Sequence, residues 1–131
     1  MKKIIVLFLG LFLVSGCSNV VSQEKWEKLD LGMSIEDVEK EVGKPLNTET
    51  DNGIISEQVY SDYKKMYEMN SIIKNSDLEE RMNQLDMIYT SSKSDEVVKQ
   101  YTYKVETSDK SREAEMYFVN GVLRYINRAN E

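Results

Sequence analysis

The chain has one thiol, Cys17, and no histidine among its 131 residues. Cys17 closes the run Val14-Ser15-Gly16-Cys17, directly after a basic start and an unbroken apolar stretch. The lack of histidine removes the commonest general base and the commonest ligand of borderline metals. Ser-His and Cys-His nucleophile pairs go with it, as do most zinc sites. Carboxylates remain, as pairs at Glu36/Asp37, Glu79/Glu80 and Glu113/Glu115. A glycosidase sets two such acids roughly 5 to 10 Å apart across a deep cleft. Acids at helix starts, however, are explained by capping and by the positive end of the helix dipole. No partner base or oxyanion donor accompanies any of the pairs, so no catalytic residue is expected. Asp51-Asn52-Gly53 lacks the spaced ligands and terminal glutamate of a calcium loop, and turn chemistry accounts for it. There is no glycine-rich phosphate loop. The expectation is a protein without metal or cofactor, and not an enzyme.

The segment before Cys17 has the build of a signal peptide. Lys2 and Lys3 make a basic start, and Ile4 to Val14 an apolar run shorter than the roughly 20 residues a membrane span needs. The ending V-S-G-C resembles the lipobox of bacterial lipoproteins. That resemblance implies cleavage between Gly16 and Cys17 and a diacylglyceryl group on the Cys17 thiol, giving a mature chain that begins at Cys17. Two acyl chains make a stable anchor. The expected organisation is therefore a signal peptide over 1–16, a lipidated tether over 17–23 and a single domain over 24–131. The domain would be held at the extracytoplasmic face of the cell membrane or of an outer membrane. With Cys17 consumed by lipid no disulfide is available, and stability must come from packing.

Charge narrows the partners. The formal net charge of −6 becomes more negative still once Lys2 and Lys3 leave with the signal peptide. Nucleic acid and electrostatic adhesion to anionic lipid both need clustered Lys and Arg, so neither is expected. The expected partners are the membrane, through the lipid on Cys17, and an unidentified envelope or extracellular protein.

Past the tether, Trp26, Leu29 and Leu31 suit one helical turn. The stretch from Ser34 to Gly43 predicts a helix with both ends marked. Ser34 and Asp37 suit a capping box, Ile35, Val38 and Val42 form an apolar stripe, and Gly43 with Pro45 terminates it. The pattern carried by Leu29, Gly32, Met33, Ser34, Val38, Gly43 and Pro45 resembles the opening of small envelope lipoproteins of the BamE/SmpA type. It is also similar to the opening of β-lactamase-inhibitor-protein-like modules. Tyr101-Thr102-Tyr103, Met116-Tyr117-Phe118, Asn120-Gly121 and Leu123-Arg124-Tyr125-Ile126 resemble the closing strands of the same families. The resemblance implies an opening helix, a short antiparallel sheet and a non-catalytic scaffold or accessory role in an envelope complex. It covers both ends of the mature domain and not its middle.

In the middle, Val59, Tyr63, Met66, Tyr67 and Ile73 predict a helix from about Glu57 to Lys74. Leu78, Met82, Leu85 and Tyr89 predict a second from about Asp77 to Tyr89, with Ser76 and Glu79 as its capping box. Alternation then predicts a strand through Val97, Tyr101, Tyr103 and Val105, and a hairpin through Asn120-Gly121. The hairpin is expected to pair Phe118 with Leu123 and Met116 with Tyr125. The fold class is α+β: N-terminal helices on an antiparallel sheet of about three strands, with an extra helical insertion. Tyr101, Tyr103, Tyr117 and Arg124 are the candidate protein-contact residues, because tyrosine contributes contact area at little rotamer cost. The expected function is a lipid-anchored protein-binding module. A surface inhibitor or exclusion factor that blocks an extracytoplasmic protein is the alternative, and a carboxylate-dependent wall hydrolase a more distant one.

Overall fold

Three runs of alternating apolar residues near the C-terminus, joined by short turns, build the centre of the molecule. The computed structural model describes residues 20–128; the expected signal peptide, its expected cleavage site after Gly16, and Cys17 lie outside the described residues. In chain order the elements are β1 (Val20–Val21), α1 (Gln23–Glu27), α2 (Ile35–Val42), β2 (Asn47–Glu49), α3 (Asn52–Ile73), α4 (Ser76–Ser92), β3 (Val98–Glu106), β4 (Ser111–Val119) and β5 (Val122–Ile126). The class is α+β. Strands β3, β4 and β5 form an antiparallel meander, with Tyr101 opposite Met116 and Phe118 opposite Leu123.

The sheet is wider than three strands. Along the free side of β3, Val20 and Val21 pair in parallel with Lys104 and Val105, while Asn47–Glu49 pair antiparallel with Thr102 to Gln100. The two short strands thus share one edge end to end. Val20 and Val21 therefore belong to the fold, although the sequence places them in the tether. On the far edge, Gly32 N donates to Leu123 O and Leu123 N donates to Met33 O, both at 2.8 Å, with Ser34 bridging Val122. The Gly32-Met33-Ser34 run of the opening motif thus covers part of an edge that would otherwise offer unpaired backbone to another chain. Gly32 sits at φ +98°, a conformation that costs other residues strain and glycine almost nothing.

Each face of the sheet carries its own helices. On one, Trp26, Leu29 and Val38 pack against Tyr101, Tyr103, Val105, Ala114, Met116 and Phe118. On the other, Ile55 and Val59 of α3 and Leu85 and Ile88 of α4 pack against Val98, Tyr117 and Tyr125. Helix α2 has the expected capping box: Ser34 Oγ accepts from Asp37 N at 3.1 Å, and Asp37 Oδ2 from Ser34 N at 3.4 Å. Leu31, in contrast, stays at the surface. The side chain of Arg128 donates to the carbonyls of Trp26 and Leu29 and fastens the C-terminal end to α1.

The helical pair begins earlier than its apolar stripe suggests. Asp51 is the N-cap of α3, its carboxylate accepting from Gly53 N and Ile54 N, so the apparent turn Asp51-Asn52-Gly53 is a helix start. Asn75, rather than Ser76, caps α4 by accepting from Asp77 N. Between them Lys74 takes a left-handed conformation at φ 53° and reverses the chain.

Strand β5 is irregular at one point. Its pairing with β4 jumps from Phe118↔Leu123 to Tyr117↔Tyr125, so that Arg124 is an extra residue without a partner on β4. This bulge turns Tyr125 to the helical pair and brings Ile126, rather than Tyr125, opposite Met116.

Candidate functional site

The four candidate contact residues divide sharply. Tyr101, Tyr103 and Tyr117 are buried and belong to the two cores. Tyr101 packs edge-on against Phe118, with ring centroids 5.0 Å apart, and its hydroxyl donates to Glu39 Oε2 at 2.8 Å. Tyr103 donates to Gly43 O at 2.8 Å and packs edge-on against Trp26. Tyr117 is wholly buried, and its hydroxyl accepts from Gln100 Nε2 at 2.9 Å. These rings fill the space on both sides of the sheet, and none is available as a contact face. Aromatic alternation marks a strand well but does not show whether helices lie on one of its faces or on both.

Arg124 is at the surface. The bulge that leaves it unpaired also aims it. Bulges redirect side chains and are common beside functional sites. Arg124 lines a cleft of about 610 Å³ between α4 and the β4–β5 hairpin, whose walls include Met87, Ile88, Val119 and Val122, with Glu96 at its rim. The turn beside it is held firmly: Val97 N donates to Asn120 Oδ1 at 3.1 Å, Asn120 N to Val97 O at 2.8 Å, and Asn120 Nδ2 to Glu96 Oε2 at 3.0 Å. Among the described residues Arg124 makes no ion pair or hydrogen bond, the one ion pair being Lys44 with Glu39 at 2.8 Å. An apolar wall beside a free guanidinium can receive an apolar side chain next to a carboxylate, which a guanidinium fork binds in two-pronged fashion. Met87, half-exposed on this wall, is a side chain that adapts to varied partners.

A second group of polar residues lies under α3. Asp62 of α3 and Glu115 of β4 are half-buried, and their neighbours include Tyr117 and Tyr125. Burial holds the Asp62 carboxyl above its usual range, with Lys65 opposing. Burial and then the charge of Asp62 do the same to Glu115. Burial pushes the Tyr125 phenol up to about 12 and raises that of Tyr117 further. An upward shift of a carboxyl is the direction that a general acid requires. Neither acid, however, lines the cleft beside Arg124, or the cleft formed by Asp30, Arg81 and Arg128, or the one at the β3–β4 turn. None of these clefts therefore gives a substrate a way to them.

The Asp62–Glu115 pair was not among the acid pairs that the sequence singles out, where Glu115 stands with Glu113. Its trace is Asp62 itself, which falls within the apolar stripe Ile55, Val59, Met66 at helical spacing, where an acid is out of place. The bulge leaves no such local signal: alternation would set Leu123 and Tyr125 on one face, and only the extra residue Arg124 sends them to opposite cores. Among the described residues no group of three or more acids, cysteines or histidines is arranged to hold a metal. Comparison with known proteins finds no match to this chain among family models, curated proteins or solved structures.

Proposed function

We propose that this protein is a lipid-anchored, non-catalytic binding module of the cell envelope, and that it receives a partner protein in the cleft between α4 and the β4–β5 hairpin. The observation that carries this is the bulged, unpaired Arg124 beside an apolar wall. The segment it suits is a short stretch with an apolar side chain followed by an acid or a terminal carboxylate. The anchor is supported by the V-S-G-C ending at Cys17 and the apolar run before it. A BamE/SmpA-type scaffold or accessory role is the form of module favoured by Leu29, Gly32, Met33, Ser34, Val38, Gly43 and Pro45 with the closing strands. The helical pair has no counterpart in that pattern, and it forms one wall of the cleft, so the partner proposed is particular to this chain.

A photo-crosslinking residue at Met87 tests the proposal in native membranes. One protein should be captured repeatedly from position 87, lost when Arg124→Glu is added, and not captured from position 44 at the far side of the domain. Equal capture from both positions, or capture indifferent to Arg124→Glu, would sink it. Metabolic labelling with an alkyne fatty acid should mark the parent protein and not Cys17→Ala; a parent that takes no label would remove the anchor.

A further inference from the structure

The outer half of the helical pair exposes more apolar surface than a solvated helix needs. Ile72 is 83% exposed and Ile73 61%, and Tyr67 and Met69 are open beside them. Helices of a water-facing hairpin normally keep such residues singly. Here four stand within seven residues at the tip. Lys74, in its left-handed turn, follows directly.

The position of this tip relative to the chain's entry point follows from contacts. Asn52 Nδ2, at the start of α3, donates to Glu96 O at 3.1 Å, and Gln58 bonds Gln100 at 3.0 Å. Further on, Asp62 acts on Glu115, which pairs with Thr102. Helix α3 therefore runs alongside β3 in the same direction. Helix α4 returns, with Arg81 and Gln84 beside Ile126 and Arg128, and Met87 and Ser91 beside Val119 and Val122. At about 1.5 Å per residue, Ile72 lies roughly 15 Å beyond Asp62 along the helix axis. At about 3.3 Å per strand residue, that carries it to the level of the β3–β4 turn. Val20 pairs with Lys104, two residues before β3 ends at Glu106. Val20 and the hairpin tip are thus in the same half of the molecule, with β1, parallel to β3, running towards the tip end.

Three residue steps lead from Cys17 to Val20, a covalent reach of at most about 11 Å. We infer that the α3–α4 tip, through Tyr67, Met69, Ile72 and Ile73, seats in the interfacial layer of the bilayer to which the chain is tethered. This rests on the lipid-anchor reading above. A tether so short holds the Val20 half of the domain against the membrane, where the tip's apolar side chains leave water and its tyrosine lies at the headgroup level that suits an amphipathic ring. No helix among the described residues is long and apolar enough to cross, so the tip dips in and does not span. The acidic domain is not drawn there by charge; the lipid and the apolar tip act together. The cleft at Arg124, at the opposite end of α4, then faces away from the membrane, open to a partner.

The test uses the mature protein, exported and processed from the full precursor, in vesicles of phosphatidylethanolamine and phosphatidylglycerol. Cys17 being the only native thiol, an Ile72→Cys variant takes an environment-sensitive fluorophore at 72 alone when position 17 is lipidated. A Val97→Cys variant places the same probe at the far end, where Val97 is exposed. The expected result is a blue-shifted emission at 72, quenched several-fold more by nitroxide-bearing lipid than the probe at 97. A probe at 72 that stays in water while the protein floats with the vesicles overturns the tip proposal and leaves the anchor standing. Protection at 72 that lipid quenchers do not reach, and that vanishes on dilution of protein in lipid, gives the tip to a second copy and also overturns it. A free thiol at Cys17, labelled alongside 72 in protein that does not float, removes the anchor and the proposal together.

Discussion

The two faces of the sheet differ in how their polar groups are treated. Under α1 and α2 the rings are locked: Trp26 against Tyr103, Tyr101 against Phe118, with both tyrosine hydroxyls bonded. The carboxylate there, Glu39, is held below its usual range by its bond to Lys44, with Tyr101 adding a second bond. Under α3 and α4 the carboxyls of Asp62 and Glu115 are pushed upward by burial instead. The first face stabilises its charge; the second carries charges it disfavours. The second face also bears the open cleft and the exposed hairpin tip. A small domain with a stability of only about 5–15 kcal/mol can tolerate such an uneven distribution if one face holds the fold together. We take the N-terminal face to be that one, and the helical pair to be the face that meets other molecules.

The hardest blow to this contrast would come from equal sensitivity of the two regions. Trp26→Ala empties a fully buried site and should cost about 3–5 kcal/mol, measured as a lowered urea midpoint. Ile72→Ala at the hairpin tip should stay within about 0.5 kcal/mol of the parent. If the tip variant unfolds as readily, the tip is part of the core and the contrast fails. The next effect is smaller. Tyr101→Phe removes a hydrogen bond to a carboxylate and should cost about 1.5 kcal/mol at neutral pH. Because the Glu39 pKa is depressed, the stability that it contributes is present above its ordinary 4.5 and is lost as pH falls through the shifted value. The Tyr101→Phe penalty should therefore shrink in acid.

Glu115→Gln should have the opposite sign. The raised carboxyl contributes stability below its ordinary 4.5, and this is lost as pH rises through the shifted value. The variant should melt higher than the parent at pH 7, with no such gain at pH 4. A lower melting temperature at pH 7 would mean that ionised Glu115 is held by favourable contacts, and the two faces would then be alike. The change in stability expected at the cleft is as small as that at the tip: Arg124→Ala should fall within about 0.5 kcal/mol. Its loss should show in partner capture alone.

Local chemistry in the chain was enough for several elements. The capping box of Ser34 and Asp37, the stop at Gly43 and the hairpin at Asn120-Gly121 all depend on residues within a few positions of one another, and all stand as expected. The two long helices were legible from their stripes, and the start of α4 to within one residue, but not the first turn of α3 or the cap of α4, because Asp51 and Asn75 cap helices while also being common turn residues. The strand at Val20 and Val21 could not be foreseen, since two residues have no periodicity and their partners, Lys104 and Val105, lie near the other end of the chain.

The sequence by itself determined the lipobox-like ending at Cys17, the acidic balance, the absence of histidine and the alternation of helical and extended segments, since each is a property of residue type or near-neighbour spacing. Tertiary structure alone decided which faces were covered. Tyr101, Tyr103 and Tyr117 were drawn inside because helices close over both sides of the sheet. Arg124 was left outside because one extra residue in β5 shifts the register. Exposure depends on what packs against a residue from far along the chain, and no local pattern specifies that.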